Sequence, residues 1–411
     1  MRNLLFLFLG ILKFFRKLYL KIRGIKQEDL HTERVVNGKA WEDFCDHLKT
    51  AGAALMYPGA PVDPFQQAEG LRYLTRLTRA GLEAFVEFND PAFPVLRRMV
   101  HETVKMGADN PDNHYFNAQI SGNYEYRITG KRNTVHYLGF FTQNGNYGTT
   151  GKLTPCGKME HSELELMPDG SFEIILSKIK KGKNWLKIEN ETGLVIVRQT
   201  FSDRSAEVPA ELTIENLDGR RAPDPVTPGM IDEGLKTASL FVAGAPLLFA
   251  RWAKGFQKHT NQLPLFDPKT SNEAGGDANI FYYHSHWKLA SGEALVIEVN
   301  PPDCDSWNFQ LNNWWMESLD YRYFHVCINK SAAVYNKDGS VAIVVAHENP
   351  GIPNWIETAG HTEGTMCWRW YRLKPGEMPA TPSCSVMKIN EVKFFLKQEK
   401  KPGTQPLKND I

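Results

Sequence analysis

The spacing of apolar positions changes twice along the chain, and those changes divide it. Downstream of Asp63 the apolar residues recur at helical intervals. Leu71, Leu74, Leu77, Leu82 and Phe85 read as a core face, with Arg72, Arg76 and Arg79 on the opposite one. Asp63 is a fitting N-cap with Pro64 at N1 and Gln66 at N3, so a helix is expected to begin there. From Asn113 onward the period drops to two and Asn, Gly and Asp turns punctuate it, as in half-buried strands. A second helical stretch, about 228–258, separates this β region from another. Short strands in succession without a βαβ rhythm point to sandwiches or jelly rolls rather than a parallel sheet.

The two β regions repeat one another. Asp169-Gly170-Ser171 precedes the strand-like run Phe172 to Leu176, then Asn184-Trp185-Leu186, Thr192-Gly193 and a strand Leu194 to Arg198. Asp338-Gly339-Ser340 precedes Val341 to Ala346, then Asn354-Trp355-Ile356, Glu363-Gly364 and a strand Thr365 to Arg369. Upstream, Asp63-Pro64 with Glu69-Gly70-Leu71 matches Asp224-Pro225 with Glu233-Gly234-Leu235, and Tyr124 to Ile128 matches Ala294 to Val299. An ordered set of matches at a nearly constant offset marks a tandem repeat. In each copy the Asn is expected to cap a turn and the indole to plug the end of a sandwich. Arg198 aligns with Arg369, and presence in both copies favours a structural or ion-pair role.

The start of the chain is a separate device. Arg2, Lys13, Arg16, Lys17, Lys21, Arg23 and Lys26 all precede the first acid, Glu28. The apolar run Leu4 to Leu12 is too short to span a bilayer, which needs about 20 residues. No small-residue cleavage site follows it, which argues against a secretory signal. Lys13, Lys17 and Lys21 recur on one helical face, while Ile11, Phe14, Phe15, Leu18, Tyr19 and Ile22 lie mostly on the other. Such a helix is expected to lie in the headgroup plane, with Lys13, Phe14, Lys17, Leu18 and Lys21 binding anionic lipids. The expected location is the cytoplasm, attached peripherally to the inner face of the cell membrane.

Composition adds little to this picture. The 411 residues suffice for two domains, and a net charge of +1 gives no reason to expect a nucleic-acid partner. Six cysteines without a C-x-x-C pair read as reduced thiols. Asn190 and Asn329 open N-x-[ST] triplets of little weight. No G-x-G-x-x-G after a strand, Walker loop, G-x-S-x-G or H-E-x-x-H is present, against nucleotide cofactors, ordinary serine hydrolysis and zincin chemistry.

The stretch Asp338-Gly339-Ser340 through Asn354-Trp355-Ile356 to Trp368-Arg369-Trp370-Tyr371 resembles a bacterial jelly-roll family catalogued as domain of unknown function 1214. The resemblance is clearest over about residues 280–373, and the first copy looks like a divergent version. It implies a β jelly roll and a bacterial origin. It implies no activity.

Three groups in the second repeat carry candidate chemistry. His284 and His286 lie two apart in a strand, so both imidazoles share a face. That is how cupin-type metal sites begin, but the carboxylate such sites want four or five residues later is missing, Glu293 and Glu298 being the next. A metal there is the lesser reading beside a hydrogen-bonded pair, and no cofactor is predicted. In the run 303–315, Trp307, Phe309 and Leu311 face one way, and Ser306, Asn308, Gln310 and Asn312 the other. The amide row is either a solvated face or the lining of a wet pocket with Glu317 and Asp320 at its rim. His347 and His361 sit on loops flanking the Asn-Trp turn, and His361 with Glu363 is a candidate acid/base pair.

The expected fold is α+β. It is a tandem duplication of a helical segment plus an antiparallel β-sandwich (jelly-roll-like), with an N-terminal amphipathic helix. Its units are a membrane-surface helix over 1–30, helical segment 31–110 and sandwich 111–203 of the first module, linker and helical segment 204–275 and sandwich 276–375 of the second, and an extension with a disordered tail over 376–411. The expected function is binding and processing of an apolar small molecule (a lipid, isoprenoid or steroid-like compound) in a pocket of the second module. His284, His286, Glu317, His325 and His361 are the candidate catalytic residues. Trp307, Asn308, Gln310, Asn312, Trp314 and Asp320 are the candidate ligand contacts. A non-catalytic carrier for the same ligands, and a structural or glycan-binding double sandwich, remain alternatives. The oligomeric state stays open.

Overall fold

The computed structural model describes residues 26–145, 153–219, 221–273 and 275–398. The membrane-helix residues Lys13, Phe14, Lys17, Leu18 and Lys21 lie outside this range, as does the tail beyond Gln398. Helices form one layer: α1 (Gln27–Val36), α2 (Lys39–Ala51), α3 (Pro64–Leu82) and α4 (Pro228–Phe256). Asp63 caps α3 as expected, its carboxylate accepting from the Gln66 N–H at 3.0 Å. Thr227 caps α4 in the same manner, accepting from the Met230 N–H at 3.2 Å. Among the described residues no helix is long and apolar enough to cross a membrane.

The core face of α3 differs from the leucine stripe. Leu71 is exposed, and Gly70, Tyr73, Leu77 and Ala80 are buried instead. Close approach decides this: a Cβ on Gly70 would meet Leu55 and Trp315 at 2.8 Å, so small and flat residues occupy the seam. Arg76 is not solvated either. It turns inward and binds Glu317 at 2.7 Å.

The first β module has strands β1 (Arg97–Val100), β2 (Asn113–Gln119), β3 (Tyr126–Lys131), β4 (Tyr137–Asn144), β5 (Thr154–Glu160), β6 (Ser171–Ser177), β7 (Trp185–Lys187), β8 (Thr192–Thr200) and β9 (Glu211–Asn216). The second has β10 (Ile280–Lys288), β11 (Glu293–Val299), β12 (Cys304–Asn312), β13 (Cys327–Asn329), β14 (Val341–Ala346), β15 (Trp355–Glu357), β16 (Glu363–Leu373) and β17 (Ser383–Lys388). Apart from the extra edge strand β1, the sheet orders coincide. Order β2-β8-β4-β5 matches β10-β16-β12-β13, and β7-β6-β3-β9 matches β15-β14-β11-β17. Strand pairing is antiparallel except at β6–β7 and β14–β15, parallel in both modules. In each module residues of both sheets share one core. Ile128, Phe140, Ile174 and Val197 meet in the first, and Ile297, Trp307, Ile343 and Trp368 in the second.

The repeated turns match atom for atom. Asp169 accepts from the N–H and hydroxyl of Ser171, and Asp338 from those of Ser340, with Gly170 and Gly339 at φ +80° and +85°. Asn184 exchanges hydrogen bonds with the backbone of Glu165, and Asn354 with that of Val334. The asparagines, expected to cap a turn, instead fasten a loop upstream in the chain. The indoles do not plug a sandwich end. Trp185 and Trp355 are half-buried on edge strands, donating to the carbonyls of Ser177 and Ala346.

Asn354 is the more demanding of the two. It is buried at φ +57° and also donates to the Ala342 carbonyl at 3.0 Å. Asn354→Ala is expected to cost about 2–3 kcal/mol, from backbone groups left unpaired, and Asn184→Ala about 1 kcal/mol. Urea titrations of the two variants check the order, and equal losses would contradict this account.

Candidate functional site

Strands β8, β10 and β16 are buried on both faces. Tyr283, Trp368 and Trp370 point into the core of their own module. The alternate residues Tyr282, His284, Arg369 and Tyr371 point out of it, toward the first module. There they meet Asn113, Tyr115 and Asn117 of β2 and Leu194, Ile196 and Arg198 of β8 around a cavity of about 170 Å³. Phe249 and Trp252 of α4 and the segment 106–110 complete the wall. The lining is mostly aliphatic and aromatic, with two guanidinium groups, three phenols and one imidazole converging on it, the usual make-up of a small-molecule site.

His284 is the expected residue that the structure places at this cavity. Its ring stacks between Tyr282 and Phe256, centroids 5.7 and 5.6 Å away, and Phe266 meets it edge-on. Nδ1 is buried without a hydrogen-bond partner among the described residues. Burial, assisted by the Arg369 charge, lowers its pKa to about 3, so the ring is neutral at physiological pH. Burial likewise pushes Tyr282 up to about 12.

The other candidates are dispersed. His286 is buried with both ring nitrogens engaged, Nδ1 with Thr260 at 3.1 Å and Nε2 with Glu363 at 3.2 Å. It therefore shares no open site with His284, and among the described residues no group of three or more His, Cys, Asp or Glu is placed to hold a metal ion. Glu363 being taken by His286, His361 has a different partner, Glu69 of α3 at 2.5 Å, and it is buried. Glu317 is buried and held by Arg76 and Asn313, and burial pushes its pKa up while Arg76 opposes the shift. His325 is exposed, and Asp320 pairs with Arg322 at the surface.

The amide row is neither solvated nor a pocket lining. Asn308 donates to Asn110, Gln310 to the Asp109 carbonyl, and Asn312 lies between Gln310 and Thr365. The segment 108–112 of the first module accepts from Asn308 and Gln310, and Asn312 is satisfied within the second, as burial requires. Trp307 is a core residue stacked on Trp368 at 4.8 Å, and Trp314 packs against the helical layer. Six of the ten tryptophans are fully buried, so a surface row for glycan binding is absent among them.

Sequence reasoning missed Tyr115, Ile196, Phe249 and Trp252 as cavity residues, because they come from the first module and α4. The available signal was the alignment of Arg198 with Arg369, which placed one arginine of each copy on an outward face.

Two β modules of like strand order, set against a helical layer and enclosing an amphipathic cavity, define a mixed α+β protein. The sequence pattern described as a protein of unknown function (DUF1214) matches residues 295–375. An uncharacterized protein from Burkholderia cenocepacia of known crystal structure is 49% identical, with a TM-score of 0.85 over 87% of this chain and 99% of that one. The chain belongs to the DUF1214 family. A Vibrio parahaemolyticus protein of known structure aligns at 10% identity and a TM-score of 0.44, over 83% of this chain and 100% of that one. No curated protein matches.

The Glu69–His361 link ties α3 to the second module and carries a pH signature. Burial would raise the Glu69 pKa, but the bond and charge of His361, with Arg72 and Asn313, together outweigh it and hold the carboxylate below its usual value. A carboxylate lowered on folding adds stability above its unfolded pKa, about 4.3, and loses it as pH falls through the folded value. Glu69→Gln is expected to cost about 1–3 kcal/mol at pH 7 and to flatten the acid side of the stability profile. Thermal melts from pH 3 to 7 read this, and an unchanged acid limb would contradict it.

Proposed function

We propose that the protein binds a small apolar molecule in the cavity between its two β modules and does so at a membrane surface. The cavity carries the binding reading: about 170 Å³, walled by Met106, Ile196, Phe249, Trp252 and Ile280, with His284 in its lining, whose Nδ1 has no partner among the described residues. An apolar cavity of about 150 Å³ accepts one benzene ring, so the size favours a single ring or a short chain. Binding is favoured over turnover because the His284 imidazole and the Tyr282 phenol are held in neutral forms. His284 at about pH 3 and Tyr282 at about 12 are far from the range where general acids and bases work.

The membrane part rests on the seven cations of residues 1–26 and the apolar face opposite them. The same reading treats the chain as a tandem duplication of a helical segment plus a jelly-roll-like sandwich, α3 answering to α4. Both helices have Pro at N1 behind a capping side chain, and each carries Glu-Gly-Leu in its first half.

Two experiments test this. Ile196→Trp should fill the cavity and abolish retention of small aromatic molecules detected by native mass spectrometry, with the fold retained by circular dichroism. Undiminished retention would place the ligand elsewhere. Deleting residues 1–26 should release the protein from vesicles containing anionic lipid, and persistent co-sedimentation would end the anchor reading.

A further inference from the structure

The two cavity arginines are related by the repeat. Arg198 pairs across its ladder with Tyr115, and Arg369 with Tyr282. Each tyrosine hydroxyl accepts from the backbone N–H five residues earlier, Asn110 at 3.0 Å and Asp277 at 3.2 Å. In both turns that same residue's side-chain oxygen accepts from the N–H two residues on, Asp112 in one and Asn279 in the other. Each guanidinium then crosses to the opposite module, Arg198 donating to the Gly275 carbonyl and Arg369 to that of Ala108. Asn110 and Asp277 therefore occupy equivalent places.

At those places the charge differs. Arg198 has Asp277 at 3.5 Å, whereas the residue that answers to Asp277 on the Arg369 side is the neutral Asn110. Arg369 is buried, and its bonds go to Asn308, Gln310 and the Ala108 carbonyl, all uncharged. The nearby acids are otherwise occupied. Asp109 is bound to Ser318 beside the Lys105 charge, and Asp112 accepts from the Asn308 amide beside the Arg204 charge. An arginine does not lose its proton in a protein, and a buried charge without a counterion is costly.

We propose that the molecule taken by the cavity is a small monocarboxylic acid whose carboxylate neutralises Arg369. One uncompensated positive charge matches one carboxylate better than a doubly charged phosphate. The hydroxyls of Tyr115 and Tyr282 donate to no described residue and supply further donors, while the apolar part packs on Phe249 and Trp252. This inference rests on the cavity being a ligand site.

Calorimetry on the full chain with benzoate and hexanoate against benzamide and hexanamide tests it. The acids should bind on the order of tenfold more tightly or better, as for a charge-assisted bond. Asn110→Asp installs the internal carboxylate that the other module already has, and so should weaken the acids by a similar factor while sparing the amides. Acids and amides binding alike would overturn the carboxylate and leave the cavity reading intact. No binding of any of the four would overturn the cavity reading itself. Acid binding unaffected by Asn110→Asp would overturn the placement at Arg369.

Discussion

A guanidinium sealed between two β modules sets the terms for its surroundings. Arg369 keeps its charge although it is buried, so groups within reach must offer it oxygens. Asn308 and Gln310 on β12 and the Ala108 carbonyl of the first module do so. Those amides must in turn be satisfied, and the segment 108–112 supplies Asn110 and the Asp109 carbonyl. Asp109 is fixed by Ser318, and Lys105 by the carbonyls of Ser318 and Leu319. One buried charge thus fastens the helix-to-strand segment of one module to the middle of the other. Networks of this kind specify a unique docking because a partial fit leaves polar groups unpaired.

The two copies solve the same problem differently. Opposite Arg369 on the neighbouring strand stands Asn308, and opposite Arg198 stands Gly139. In the first module Phe141 lies beneath the guanidinium at 4.8 Å and Asp277 answers its charge, so amides are not needed. In the second, amides hold the charge and no carboxylate among the described residues touches it. The polar row of β12 and the apolar β4 are two ways of housing the same arginine, and the difference leaves the cavity electrostatically lopsided.

The helical layer closes the cavity. Trp252 and Phe249 of α4 reach its wall, while α3 is bound to the second module through Arg76–Glu317 and Glu69–His361. Residues that read as a catalytic set are in large part the fasteners of this arrangement. Titratable side chains in a buried interface pair with each other, and such pairing is as common a cause of an unusual environment as catalysis is.

The local pattern by itself determined the elements and their repetition. The Asp63 cap, the Asp-Gly-Ser turns, the Asn-Trp turns and the run Val341 to Ala346 are governed by interactions within a few residues or one strand pair, so they are visible in a single sequence. Period two on β12 likewise separated Trp307, Phe309 and Leu311 from the amides. What those amides face, which partner His361 takes and where the cavity lies depend on residues far apart in the chain, brought together only when the modules dock. A strand buried on both faces by two different partners shows the same alternation as one with a wet face. Only the tertiary structure decided that the polar face of the second module is an interface, and that the space beside it is shared with the first.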